Sequence, residues 1–390
     1  MADQTYLKSS AVQKGSGAGE RSRTLGHDFE AKVYRIQAAV LRRKGGPFKI
    51  ESLEMEAPRK DEVLVRIVAS GICRTDIDFC DDWFEAPDAI VLGHEGAGVV
   101  ERVGDKVKTV RPGDPVVLSY QSCGRCASCR SGRPTACKRF WEANFGFQRL
   151  DGSNALQRSG VRGHFFGQSS FATHTLATER NFVKVPADLP LELLAPLGCG
   201  LQTGAGTVMN SLAVPRGASI AVFGTGAVGL AAVMAARIVG ATPIIGVDIV
   251  SSRLALAREL GAGHAIDNRC EDVAARIAEI TFSGVDYVVE TTGSPEMHRL
   301  AVDVLNPRGT VALLTGESGT ALTQERKTLG IIQGDSVPQR FIPDLIGRYR
   351  AGEFPFDRLL KFYDFGDINR AVADARRGHA IKPVLRISGS

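Results

Sequence analysis

No uncharged apolar run in the sequence reaches the ~18 residues that a membrane span requires, so a membrane-embedded protein is not expected. The N-terminal stretch lacks an apolar core followed by a small-residue cleavage site, which argues against a secretory signal. Charge of one sign is scarce: the net charge is +5 over 390 residues and is dispersed, leaving little drive toward nucleic acid or a membrane surface. No self-similarity at solenoid periods is present either. What remains is the composition of a soluble globular protein, 44% hydrophobic and 23% charged. At 390 residues the chain is too long for one ordinary core, so two or more domains are expected.

The eight cysteines are unevenly placed. Cys123, Cys126, Cys129 and Cys137 lie close together in a chain without an export signal, a pattern that points to metal binding in a reducing, cytoplasmic setting. Turns at Gly124 and Gly132 allow four thiolates to close a tetrahedron around zinc at ~2.3 Å. A closed all-cysteine shell leaves no open position, so this zinc is structural. A zinc-ribbon module for nucleic acid is the rival; it is disfavoured because the cluster sits between strands of a larger domain and lacks a basic-aromatic surround.

Along the chain, residues 1–30 are rich in Ser, Gly, Lys and Arg without hydrophobic periodicity, and read as a disordered leader or cloning remnant. Short strands separated by turns follow: Ala38 to Leu41, Glu62 to Val68, Gly96 to Val100 and Pro115 to Leu118. They suggest a β-rich, barrel-like domain. After about Gly200 the pattern alternates. Strands are expected at Ser219 to Phe223, Pro243 to Val247, Val285 to Val289 and Thr310 to Leu314, the last at the sheet edge. Helices are expected at Ala227 to Val239, Ser252 to Leu260 and Pro295 to Val304. Apolar strands alternating with helices predict an α/β domain, a parallel sheet covered on both faces. Helices at Pro338 to Tyr349 and Ile368 to Arg377 and a strand at Lys382 to Ile387 complete the chain.

Gly224-Thr225-Gly226-Ala227-Val228-Gly229 directly follows a buried strand and opens a helix, as a dinucleotide fingerprint requires. Gly224 allows the tight turn, Gly226 lets a pyrophosphate approach the backbone, and Gly229 lets helix and strand pack closely. Asp248 ends the next strand, where a carboxylate binds ribose hydroxyls and repels a 2′-phosphate; the cofactor expected is NAD rather than NADP. Cys73 and His94 are a candidate pair of metal ligands, although a lone cysteine is more often a small buried residue. Cys199, just before the alternating region, is the third candidate. Two cysteines and a histidine leave a fourth position open, the catalytic form of a zinc site. With the cysteine lobe this makes two zinc ions per chain. Cys80 and Cys270 read as structural, Cys270 near a helix start.

In order, Gly71-Ile72-Cys73-Arg74-Thr75-Asp76, Gly93-His94-Glu95, the cysteine lobe, Gly198-Cys199-Gly200, the glycine fingerprint and Asp248 resemble the zinc-dependent medium-chain alcohol dehydrogenases. The likeness runs from about Ala31 to the end. Asn144-Phe145-Gly146, Leu150-Asp151-Gly152-Ser153, Gly200-Leu201-Gln202-Thr203-Gly204 and Gly334-Asp335-Ser336-Val337-Pro338 look most like the aryl (benzyl) alcohol branch. The resemblance implies a groES-like catalytic domain, 31–200 with 332–390 and a zinc lobe at 119–140, interrupted by a Rossmann domain at 201–331. It further implies that Asp76 orients His94, that Glu95 lies behind the zinc, and that Arg74 and Lys382 contact the pyrophosphate. Arg253 would lie near the adenosine ribose and Thr203 near the nicotinamide. Thr75 would take the alcohol proton onward to the cofactor ribose. Many relatives complete that path with a histidine where this chain has Asp78, so here the proton leaves through water or Asp78.

The activity implied is reversible oxidation of a primary alcohol to its aldehyde, in a homodimer or homotetramer. Trp83, Phe84, Tyr120, Trp141, Phe145 and Phe147 flank the candidate site and suggest an aromatic or bulky allylic alcohol. Two rivals stand beside it: a glutathione-dependent formaldehyde dehydrogenase, with the same metal and cofactor residues, and a non-catalytic NAD-binding protein of the same fold. A zinc-free quinone reductase would lack the lobe of Cys123 to Cys137.

Overall fold

A computed structural model describes residues 33–82, 89–314 and 325–388 of the protein, and counts below are of these residues. The leader expected at 1–30, and Trp83 and Phe84, lie outside them.

The strand Glu62–Gly71 organises the β-rich part. Every residue in it except Arg66 is buried. It pairs antiparallel with Glu95–Val103, His174–Thr178 and Lys382–Arg386. Pro115–Leu118 and Phe182–Lys184 extend the sheet on one side and Leu360–Asp364 on the other, giving seven strands. Val33–Leu41, Lys49–Glu56 and Ile90–Val91 form a second, antiparallel sheet of three.

Six parallel strands form the other sheet, in the order His264–Asp267, Ile244–Asp248, Ile220–Phe223, Val285–Glu290, Leu305–Leu313, Lys327–Gly330. Its two strands nearest the middle on one side, Ile220–Phe223 and Ile244–Asp248, are buried throughout, and apart from Asp248 they carry only apolar residues and glycine. Helices on both faces leave no solvent side to demand alternation. Among the described residues no helix is long and apolar enough to cross a membrane.

The parallel sheet corrects one expectation. Thr310 to Leu314 was expected to be an edge strand, but the strand runs Leu305–Leu313 and is flanked by Lys327–Gly330, which forms the edge. Its first half was hidden in the sequence by Pro307-Arg308-Gly309. These residues form an irregularity at which the register with Val285–Glu290 shifts and Arg308 takes a φ of +68°. Strands Lys49–Glu56, His174–Thr178, Phe182–Lys184, His264–Asp267 and Leu360–Asp364, and the helix Val273–Thr281, were not anticipated. Lys49–Glu56 carries Lys49, Ser52 and three glutamates among its apolar residues, and only Leu53 and Met55 are buried; its pairing with Val33–Leu41 holds it in place.

The two sheets meet around the turn Ala195–Gly198 and the helix Gly200–Gly206. A single apolar cluster joins Ala69, Ala97 and Val117 to Leu197, Leu201, Val222 and Leu230. Gly204 permits the closest approach: a Cβ there would lie 2.0 Å from the Val228 carbonyl oxygen. Backbone contact between these helices sets Cys199 beside the glycine turn.

Candidate active site

Three separate segments supply the centre. Cys73 follows the strand Glu62–Gly71 and precedes the helix Arg74–Asp82; His94 precedes the strand Glu95–Val103; Cys199 precedes the helix Gly200–Gly206. Ligand atoms of Cys73, His94, Glu95 and Cys199 all lie within 4.8 Å of one another. His94 is fully buried, and its Nε2 has no hydrogen-bond partner. A buried imidazole nitrogen left free while facing two sulfurs is what a metal ligand needs, because an orphaned polar atom otherwise costs ~1–3 kcal/mol.

Asp76 holds this geometry. Its carboxylate accepts from Cys73 N at 2.9 Å, Gly93 N at 3.0 Å and His94 Nδ1 at 3.0 Å. One side chain thus ties both ligand loops together and leaves Nε2 as the free end of the ring. Burial pushes the His94 pKa down, but the Asp76 carboxylate and the Cys73 sulfur outweigh it and carry it up to about 10. A hydrogen bond with Cys199 holds Cys73 well below the ordinary thiol range and Cys199 well above it. The site is thus one that favours a cation. Asp76→Asn is expected to lower retention of the catalytic metal, or turnover, by roughly 10–100-fold. Chelator competition and kcat would check this, and an unaltered variant would show that Asp76 is not the orienting group.

Glu95 and Lys382 form an ion pair behind the sulfurs. Lys382 Nζ lies 2.9 Å from both Glu95 carboxylate oxygens and 3.3 Å from the Ile72 carbonyl oxygen. Glu95 Oε1 also accepts from Gly200 N at 3.0 Å. Burial raises the Glu95 pKa against the pull of Lys382; burial also opposes the Lys382 charge, but Glu95 overcomes it. Lys382, expected at the pyrophosphate, is therefore committed first to Glu95.

A cleft of about 590 Å³ runs from this centre across the glycine turn, lined among others by Cys73, Arg74, Gly226, Asp248, Arg253 and Lys382. Gly224 has a φ of +85°, and a Cβ on Gly229 would lie 1.8 Å from the Gly224 carbonyl oxygen, so neither position admits another residue without rearrangement. At Gly226 the space a Cβ would fill is open. This is the cradle that a pyrophosphate needs, at the N-terminus of the helix Ala227–Val239. Asp248 is saturated: Oδ2 accepts from Thr225 N and Oγ1 at 2.6 and 2.9 Å, and Oδ1 from Ile249 N and Val250 N at 2.7 and 2.9 Å. It braces the glycine turn while facing the cleft. Arg253, with Nε buried and unpartnered, lies against Gly378.

Thr75 is half-buried, its Oγ1 3.8 Å from Cys73 Sγ. Thr203 donates its hydroxyl to the Cys199 carbonyl at 2.8 Å. Arg74 and Asp78, read from sequence as having separate tasks, are bonded to each other: Arg74 Nε lies 2.6 Å from Asp78 Oδ1 on the outer face of their helix.

The aromatic surround differs from expectation. Tyr120 is fully buried and donates to the Ser336 carbonyl at 2.6 Å, so it clamps the core and is not a pocket surface. Trp141 is 67% exposed, stacked on Phe145. The rings nearest the candidate ligands are Phe165 and Phe166, which the sequence did not single out. Phe166 stacks on His94 with centroids 4.3 Å apart and 21° between planes. Phe165 meets the same imidazole edge-on at 5.5 Å. Gln168, also unanticipated, donates to the His94 and Ser119 carbonyls at 2.9 and 3.0 Å. No spacing rule marks these residues; only the run His164-Phe165-Phe166-Gly167-Gln168 hints at them.

The second cysteine cluster stands apart. Sulfurs of Cys123, Cys126, Cys129 and Cys137 lie within 4.8 Å of one another. Two of the sulfur separations are 3.5 and 3.9 Å. Tetrahedral zinc with ~2.3 Å bonds requires about 3.8 Å between sulfurs, so the cluster fits that ion. Backbone N–H groups of Cys129 and Lys138 pull the Cys126 thiol down to about 6. All eight cysteines are free of disulfides. Cys80 is buried; Cys270, read from sequence as structural, is exposed in the turn before the helix Val273–Thr281.

A β-rich domain joined to a parallel sheet, with a glycine-turn cleft ending on two thiols and an unpartnered imidazole, defines a metal-assisted, nucleotide-linked dehydrogenase. Residues 59–187 match the family described as alcohol dehydrogenase GroES-like domain, and residues 227–341 match zinc-binding dehydrogenase. The chain belongs to the zinc-dependent medium-chain alcohol dehydrogenases, and its two parts are of GroES-like and Rossmann type. It is 48% identical over 362 residues to a geraniol dehydrogenase of Castellaniella defragrans, covering 90% of this chain and 97% of that one. A crystal structure of an alcohol dehydrogenase zinc-binding domain protein from Burkholderia ambifaria is 52% identical with a TM-score of 0.88, covering 92% of this chain and 100% of the other. The benzyl alcohol dehydrogenase of Acinetobacter calcoaceticus is 45% identical with the same TM-score of 0.88, covering 91% of this chain and 100% of its own.

Proposed function

We propose that the protein oxidises an aryl or bulky allylic primary alcohol to the aldehyde, passing hydride to NAD and a proton to solvent, and runs in both directions. The observation that carries the substrate class is the aromatic cluster at the ligand histidine: Phe166 and Phe165, both buried, lie 4.3 and 5.5 Å from its ring, and the half-buried Phe145 lies 5.0 Å from Phe166. Relatives named for geraniol and benzyl alcohol, one a branched allylic alcohol and the other aromatic, support the same class.

In this reading Cys73, His94 and Cys199 hold one zinc and Cys123, Cys126, Cys129 and Cys137 a second. When bound, the first supplies Lewis acidity at the alcohol oxygen, and the nicotinamide supplies the hydride acceptor. The chain's own residues do the remainder. Asp76 keeps His94 Nε2 turned inward, and the buried Phe165 and Phe166 rings shield the histidine from water. Thr75 Oγ1 receives the alcohol proton and passes it toward the cofactor ribose; with Asp78 held by Arg74, the last stage runs through water at the helix surface. Gly226, Arg74 and Arg253 receive the cofactor's phosphates and adenosine, and Asp248 selects NAD by repelling a 2′-phosphate. Residues 31–200 with 332–390 would form the catalytic domain and 201–331 the cofactor domain, in a cytoplasmic homodimer or homotetramer.

A panel of alcohols assayed with NAD and with NADP tests this. Benzyl alcohol and geraniol should exceed ethanol in kcat/KM, with NAD preferred; an ethanol preference would overturn the substrate class. Formaldehyde turned over only with glutathione would favour the rival dehydrogenase. Phe145→Ala, which truncates the half-buried ring of the cluster, should lower kcat/KM for benzyl alcohol by about three- to tenfold, the ~0.5–1.5 kcal/mol of an aromatic pair, and change ethanol less.

A further inference from the structure

The donor on the Cys199 sulfur comes from a residue with no role so far. Gln333 Nε2 donates to Cys199 Sγ at 3.3 Å, and Gln333 is buried. Its Oε1 lies 3.1 Å from Gln202 Nε2, on the side away from the sulfur. Gln202 Nε2, which has two N–H groups, also lies 2.6 Å from the Gly198 carbonyl and from Ser119 Oγ, and Ser119 Oγ itself donates to that carbonyl at 2.7 Å. A buried polar chain therefore starts at Ser119, just after the strand Pro115–Leu118, passes through Gln202 on the helix Gly200–Gly206 and ends at Gln333 on a candidate ligand sulfur.

The backbone that presents Gln333 is strained. Gln333, Gly334 and Asp335 have φ of +53°, +59° and +48°, and two of the three carry a Cβ that disfavours this region. Polar groups from several elements hold the turn there. Tyr120 donates to the Ser336 carbonyl at 2.6 Å, and Asn210 to that of Gly334 at 3.2 Å. Thr135 and Ser211 donate to the two Asp335 carboxylate oxygens at 3.2 and 2.7 Å. A left-handed run maintained by so many partners beside a reactive centre points to a use for what it positions.

We propose that Gln333 is a positioning residue for the catalytic metal: its amide N–H orients the Cys199 thiolate and draws charge from the sulfur. This rests on the reading of Cys73, His94 and Cys199 as the ligand set. A thiolate that accepts a hydrogen bond donates less charge to its metal and leaves it a stronger Lewis acid.

The test uses cobalt(II)-substituted full-length protein, whose thiolate-to-cobalt charge-transfer bands report the electron density on sulfur. Subtracting the spectrum of Cys199→Ala isolates the bands of this centre from those of the four-cysteine cluster. Gln333→Met keeps the length and loses the donor; Gln333→Asn keeps the amide but falls one methylene short. In both, the isolated band should move to longer wavelength. The zinc enzyme's kcat should fall roughly tenfold, the low end for partners of metal ligands, with KM little changed. A band that is unmoved in both variants overturns the role of Gln333 even if kcat falls, and leaves the ligand set standing. No band after the Cys199→Ala subtraction overturns the ligand set itself.

Discussion

Cys73→Ala is expected to hold one zinc per chain against an expected two in the parent, and to turn over at about a thousandth of the parental rate. Cys73 supplies one of two sulfurs in a centre whose other candidate ligands are one imidazole and one thiol. Removing it leaves two protein ligands, too few to retain a catalytic zinc. Lewis-acid assistance is worth several kcal/mol, and ~4 kcal/mol corresponds to about three decades in rate. The four-cysteine cluster shares no residue with this centre, so the remaining zinc stays and the fold with it. Metal analysis and single-substrate kinetics on the same preparation check both halves. Unchanged turnover would show that the chemistry does not use this centre, and loss of both zinc ions would mean that the two sites are coupled.

Glu95→Ala should be the most damaging single change to stability among the site residues. Glu95 and Lys382 are almost wholly buried, with Lys382 Nζ 2.9 Å from each carboxylate oxygen. Deleting the carboxylate strands an ammonium group in the interior, which costs about 3–5 kcal/mol. Replacing both partners by apolar residues of similar size avoids the stranded charge. Glu95→Leu combined with Lys382→Met should therefore recover most of the loss. Recovery stays incomplete because Gly200 N also loses its acceptor on Glu95, at 3.0 Å. Denaturant midpoints of the parent, both single variants and the double variant form the measurement. A Glu95→Ala variant within ~1 kcal/mol of the parent would show that the ammonium finds water or another partner.

The chemistry-bearing residues were legible because their signals are local. The glycine fingerprint sits between a strand and a helix that announce themselves, Ile220–Phe223 and Ala227–Val239. The four cysteines fall in one short segment, where spacing alone suggests a metal. GroES-like and Rossmann parts followed from those motifs and their order. The strand Lys49–Glu56 and the edge strand Lys327–Gly330 were not legible. Both are largely exposed, and their backbone partners lie elsewhere in the chain, so their own residues carry little pattern. The bulge at Pro307 to Gly309 hid half of another strand for the same reason.

From the sequence by itself came the kinds of atoms available: two candidate ligand sets, one of sulfur alone and one of sulfur and nitrogen, a glycine turn open at Gly226 and a carboxylate at Asp248. Residue type and short spacing suffice for that, because ligand chemistry belongs to the side chain. Only the tertiary structure decided how those atoms are governed. It bonded Asp78 to Arg74 and Lys382 to Glu95, and it laid Phe166 on His94. It also brought the Gln333 amide to Cys199, 134 positions away in the chain. Such pairs are set by packing between segments distant in sequence, and a hydrogen bond across that distance leaves no periodicity in either segment to be read.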